Sequence, residues 1–402
     1  MLAISQDLVN SHGLISITIA REPFTMRTET TVNQSFFTSP VLRMFILSLM
    51  VIAFMFGFAD QVWEKNFERL HVFFFNLCAG GFTIIYHTEN EERPSLLAYL
   101  FLLLSMVYAA TAFLEQYVVA AIISFTLGII VEIVRIKHFS FIPRDLIPLK
   151  ISVVDKFHHA SVLCLSLGLF IATFVLLNTT ALHWIENKNL TLNVFFLGYS
   201  FPVSLITMSV MFSFIRRDIG PNLRLLKQLF FWTINLGVIT FFLVILYEME
   251  TAKFIIGNIL FLAVIMMFLF FLFLGIKVQQ KYFLLSGMIF LVFTGITGVG
   301  YILLADYPGY YEQYSRLLLS CHAYLSLYGW GLSGLLILIR WNDFPLKLNS
   351  MKIIGFQWFV VAISAPLGET NMMLAIISSI AFCLFLHFFF EEAGSRPLPE
   401  KS

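Results

Sequence analysis

The chain has 402 residues, 59% of them apolar and only 12% charged, with a mean hydropathy of +0.86 and a net charge of +1. A water-soluble domain covers its surface with roughly 25% charged residues, so a soluble fold is excluded and lipid is the solvent that accepts the surplus. The near-neutral balance also excludes a nucleic-acid footprint.

Residues 1–40 are mixed and polar, with Arg21, Glu22, Arg27 and Glu29, and hold no apolar core followed by a small-residue cleavage site. They read as a cytoplasmic segment, and the first apolar stretch as a retained anchor. A helix needs about 20 apolar residues to cross the hydrocarbon core. On that ruler, spans fall near 41–59, 70–88, 95–114, 117–136, 158–179, 190–214, 229–247, 254–276, 282–304, 317–339, 353–368 and 371–390. The expectation is an all-α polytopic bundle of about twelve transmembrane helices filling 41–390. A polar cytoplasmic tail, 391–402, follows it.

Basic residues test that count. With both ends inside, the inner segments hold 20 of the 25 Lys and Arg, and the outer loops hold Lys65, Arg69, Lys188, Lys253 and Arg316. That asymmetry follows the positive-inside rule and points to a cell membrane of the cytoplasmic, or inner, kind. The inner loop 137–157 mixes basic and apolar residues with Pro143 and Pro148, a pattern suited to lying along the membrane surface. Cys78, Cys164, Cys321 and Cys383 fall in four separate apolar stretches and read as small buried residues.

Ionisable groups are costly inside a span and mark sites. His71 and His322 begin the second and tenth spans at the outer side, each followed by glycines: Gly80 and Gly81, and Gly329, Gly331 and Gly334. Two neutral imidazoles from different helices suit the axial positions of a haem, with small residues letting a flat cofactor approach. The plainer reading is a pair of interfacial histidines bonded to carbonyls. His87, His158 and His159 lie at the inner side. They form a candidate metal set with Glu89 and Asp155, or a hydrogen-bonded polar rim. His71 and His87 are separated by about 24 Å of helix and cannot share a site. Haem at both levels would pass electrons across the bilayer. His12, His138 and His183 fall outside the spans. Glu132 reads as snorkelling with Arg135, Asn76, Asn193 and Asn235 as interhelical hydrogen bonders, and Gly295, Gly298 and Gly300 as a close-packing face.

Twelve spans, both ends inside, and histidines opening spans two and ten resemble the catalytic subunit of haem–copper oxidases and nitric oxide reductases. Arg69-Leu70-His71 is similar to that family's span-two signature, and the run from His322 to Trp330 to its span ten. The resemblance implies haem on His71 and His322, with a redox partner protein or quinone as electron source. Tyr324 stands where the second histidine of span ten belongs, and spans six and seven contain no histidine, so the copper centre is lost.

Two functions are therefore expected: haem binding of redox or haem-handling type, and, as the alternative, secondary transport of a small solute. A membrane scaffold ranks behind both, because no soluble domain is evident. No Ser-His-Asp, HExxH or paired-aspartate pattern supports hydrolysis.

Overall fold

The computed structural model describes residues 39–63, 67–91, 93–187, 189–190, 194–304, 307 and 315–392. Each expected span is a helix. They are α1 Pro40–Phe56, α2 Arg69–Glu89, α3 Leu96–Phe113, α4 Tyr117–His138, α5 Val153–Leu182 and α6 Phe196–Ser213. The second half comprises α7 Pro221–Leu246, α8 Glu250–Leu274, α9 Gln279–Leu304, α10 Leu317–Ile339, α11 Ser350–Gly368 and α12 Met372–Glu391. Eleven are long and apolar enough to cross a membrane, and α1 is a shorter apolar helix of 17 residues. The chain is a multi-pass helical membrane bundle.

Side-chain caps fix several starts. Ser39, Ser95, Ser152, Asn349 and Asn371 each accept a hydrogen bond from an amide in the first turn of α1, α3, α5, α11 and α12, satisfying donors that the helix itself leaves open. Two helices begin earlier than apolarity suggests. α5 takes in Asp155 and Lys156, and α7 takes in Arg224 and Lys227. A hydropathy ruler misses a polar first turn that is nevertheless helical.

Burial places three helices at the centre. The apolar stretches of α2, α6 and α10 are 78%, 72% and 83% buried, against 22%, 28% and 22% for α7, α8 and α9, which form the rim. Close approach is what the small residues provide. A Cβ on Gly334 of α10 would lie 2.0 Å from Thr207 of α6, and one on Gly80 of α2 would lie 2.6 Å from Val203. Gly168 of α5 and Gly198 of α6 cross backbone to backbone, with a Cβ on the former 2.3 Å from the Cα of the latter. Polar side chains tie the same contacts. Asn76 Nδ2 donates to Ser200 Oγ at 2.8 Å, and Trp330 Nε1 to Ser204 Oγ at 2.8 Å.

π-helical stretches occur at Phe73–Gly81 in α2, Val194–Ser200 leading through α6, Leu325–Gly331 in α10 and Phe359–Ser364 in α11. A π turn widens the ring and leaves carbonyls short of partners. Gln357 of α11 serves those in α10, donating from Nε2 to Tyr328 O at 2.9 Å and Gly329 O at 3.4 Å.

The two ends of the bundle meet. Arg43 at the start of α1 pairs with Glu391 at the end of α12 at 3.3 Å, which puts these two helix ends on one face. Arg340, closing α10, donates to Phe389 O at 2.5 Å and Glu392 O at 2.7 Å on that same inner face.

Candidate functional site

The outer histidines do not converge. His71, 5% exposed, lies between α1 and α10. Its Nδ1 is 3.1 Å from Ala53 O and 3.2 Å from the Tyr328 hydroxyl. A carbonyl only accepts, so the ring proton sits on Nδ1. Tyr324 and Tyr328 both face this ring edge-on at 5.7 and 5.2 Å, and Phe54 packs against both tyrosines. His322 faces α9 instead, with Nδ1 3.1 Å from Thr294 O and 3.3 Å from Thr297 Oγ1, above Gly298. Residues two apart on a helix point about 200° apart, so with Tyr324 toward His71, His322 points away. The body of α10 lies between the two imidazoles. His71 thus meets α1 and α10 while His322 meets α9, and the two imidazoles do not face each other.

The inner histidines do converge, in part. His87 of α2 and His158 of α5 bring their ring centroids to 5.0 Å. Thr88 gives its hydroxyl proton to Ile84 O at 2.7 Å, so His158 Nε2, 2.9 Å away, donates to Thr88 Oγ1. His159 turns the other way, as adjacent helical residues must. It stacks on Phe139 at 4.5 Å with a 3° interplanar angle. Glu89 accepts from Ser95 at 2.6 Å, and the carboxylate that His159 meets is Asp145 of the loop, at 3.4 Å, not Asp155. Among the described residues no group of three or more His, Cys, Asp or Glu side chains is placed to hold a metal ion. The proposed ligand set His87, His158 and His159 thus separates into a histidine pair and an ion-linked single histidine.

Arg135 organises this second part. Its side chain is only 2% exposed, whereas that of Glu132, expected to snorkel, is 26% exposed. All five of its N–H groups are used. Nε donates to Glu132 Oε2 at 2.8 Å, and Nη1 to Ser140 O at 2.7 Å and His159 Nε2 at 3.1 Å. Nη2 donates to Phe141 O at 2.8 Å and to Glu132 Oε1. Guanidinium cannot accept, so His159 Nε2 must, and the ring proton of His159 is placed on Nδ1, toward Asp145. Burial works to raise the Asp145 carboxyl, but hydrogen bonds from Ser140 and the adjoining His159 outweigh it and hold it below the usual carboxylate value. Lys156, 1% exposed, completes the inner layer: Nζ donates to Gln228 Oε1 of α7 at 2.7 Å and lies 5.7 Å over the Phe231 ring.

Smaller expectations divide. Asn76 is interhelical, but Asn235 bonds Phe231 O of its own helix at 2.8 Å. Asn193 lies outside the described residues. Gly295 and Gly298 do form a packing face, against Phe261 and His322. His138 closes α4 half-buried within electrostatic reach of Glu89, so it belongs to the inner layer. Asp145 and Gln228 had no sequence signal, because each acts across a loop or between helices.

No family model, curated protein or solved structure matches the chain. Fold and site together define a polytopic membrane bundle with buried ionisable groups near the inner ends of α2, α4 and α5.

Proposed function

We propose that this chain is a proton-linked secondary transporter of a small solute, working in the cytoplasmic membrane with both ends inside. The carrying observation is the Arg135–His159–Asp145 arrangement. Ionisable groups buried within spans are expensive, and proton relays are among the uses such groups serve.

In this reading the cluster is a two-state element. With His159 neutral, its Nε2 lone pair is occupied by Arg135, which also grips the carbonyls of Ser140 and Phe141. A proton arriving on Nε2 displaces Arg135, because the atom cannot then accept and two positive charges face each other at about 3 Å. The imidazolium is stabilised by Asp145, and the grip on the loop between α4 and α5 is released. Protonation is thereby converted into movement at the inner mouth of the bundle. Interrupted central helices are the usual ground for solute binding in transporters, and the π stretches of α2, α6 and α10 lie side by side.

The test is uptake by proteoliposomes under an inward proton gradient, screened over labelled organic acids, amino acids and cations. His159→Gln should retain binding but uncouple uptake from the gradient. Gradient-independent uptake by the unaltered protein would sink the coupling.

A second reading, haem binding, is favoured by one feature. Both His71 and His322 anchor Nδ1 on a backbone carbonyl, as iron-ligating histidines do, and neither Nε2 has a hydrogen-bond partner among the described residues. Each would hold a separate group, with a quinone or redox protein as partner. A Soret band in protein from haem-replete cells, lost in His71→Ala or His322→Ala, would decide for this reading.

A further inference from the structure

The inner loop between α4 and α5 carries a surface that neither reading of function uses. Lys137, Arg144 and Lys150 are exposed along it, and between them Phe141, Ile142, Ile147 and Leu149 are 53–69% exposed. The loop is not loose. Arg135 holds the carbonyls of Ser140 and Phe141 at one end, and Gln228 holds those of Leu149 and Ile151 at 3.2 and 3.0 Å at the other. Its single acid, Asp145, is turned inward onto Ser140 and His159. What remains facing outward is basic and apolar only.

We infer that this loop is a binding surface for anionic phospholipid of the inner leaflet. Two features select that occupant. The exposed apolar face of α4, with Ile133 and Ile136, runs directly into Phe141 and Ile142, so the surface continues the one that lipid tails already cover. Three cations with no outward carboxylate complement phosphate-bearing headgroups. Acyl chains take the four apolar side chains, and headgroup phosphates take Lys137, Arg144 and Lys150. Because Arg135 grips this same loop, a bound lipid stabilises the gripped arrangement. The inference rests on the loop's geometry and holds whether or not the chain transports.

The experiment is thermal unfolding of the full chain in neutral detergent with added phosphatidylglycerol, phosphatidylcholine or inorganic phosphate. Phosphatidylglycerol should raise the midpoint well above phosphatidylcholine, and phosphate alone should leave it unchanged. The triple variant Lys137→Gln, Arg144→Gln, Lys150→Gln alters only exposed side chains and should fold. Each basic residue near an anionic surface contributes about fivefold, so the triple variant should weaken apparent affinity for phosphatidylglycerol by about 100-fold. Arg216→Gln with Arg217→Gln, on another inner loop, should keep the preference. An equal response to the two lipids would leave an apolar surface for a protein partner or a second copy, and would overturn the inference. So would a triple variant that keeps the preference, or a phosphate effect equal to the lipid's.

Discussion

Replacing Arg135 by Met tests the centre of the inner layer. Five acceptors lose their donor, and Glu132 keeps a charge in a site where it was paired. Breaking a buried, hydrogen-bonded ion pair by removing one partner costs about 3–5 kcal/mol. Glu132 is 26% exposed and can rehydrate in part, which places the loss near the lower bound, about 3 kcal/mol, or roughly 140-fold in the folding equilibrium. Arg135→Lys keeps the charge but lacks the planar fork. Losing two donors to carbonyls at about 1 kcal/mol each, it should fall about 2 kcal/mol short of the native chain. Reversible unfolding in mixed micelles, followed by tryptophan fluorescence, measures both. A loss under about 1 kcal/mol for Arg135→Met is what a solvated surface pair gives, and it would refute the buried clamp.

Other outcomes follow from single contacts. Gly168→Ala should destabilise by about 1–3 kcal/mol, since its Cβ meets the Gly198 backbone. Gly355→Ala, where a Cβ meets nothing within 4 Å, should be neutral or stabilising by up to about 1 kcal/mol in the same assay. Gln357→Leu should cost about 1–3 kcal/mol by stranding the Tyr328 and Gly329 carbonyls, read again as unfolding free energy. Asp145 is held below its usual value, so its contribution is complete above about pH 4, the unfolded value, and disappears as pH falls through the lower folded one. Hydrogen exchange of the inner loop should therefore rise below about pH 4 in the native chain, and already be raised at pH 7 in Asp145→Asn.

The helices were legible because lipid imposes a length and a composition on each crossing, and basic residues record which side each loop occupies. Their partners were not. His71 and His322 open spans at the same face, but which way a side chain points depends on what packs beside it, and here Tyr324 takes the direction that a second ligand needs. The inner histidines show the reverse. That His158 and His159 cannot face one partner followed from helical geometry alone, whereas the identity of each partner required the path of the loop that delivers Asp145. Glu132 read as a snorkelling residue near Arg135, because most of the acceptors that hold Arg135 inward are carbonyls and side chains that no local pattern announces.

The ion pair between Arg43 and Glu391 marks the first and last helices as neighbours. The order in which the helices are threaded is therefore separable from how they pack. A short polar linker from the end of α12 to the start of α1, with new termini cut in the turn Leu114–Gln116, would leave every interhelical contact in place. Such a permuted chain would begin and end on the opposite side of the membrane from Arg43 and Glu391, giving an attachment point at the other face.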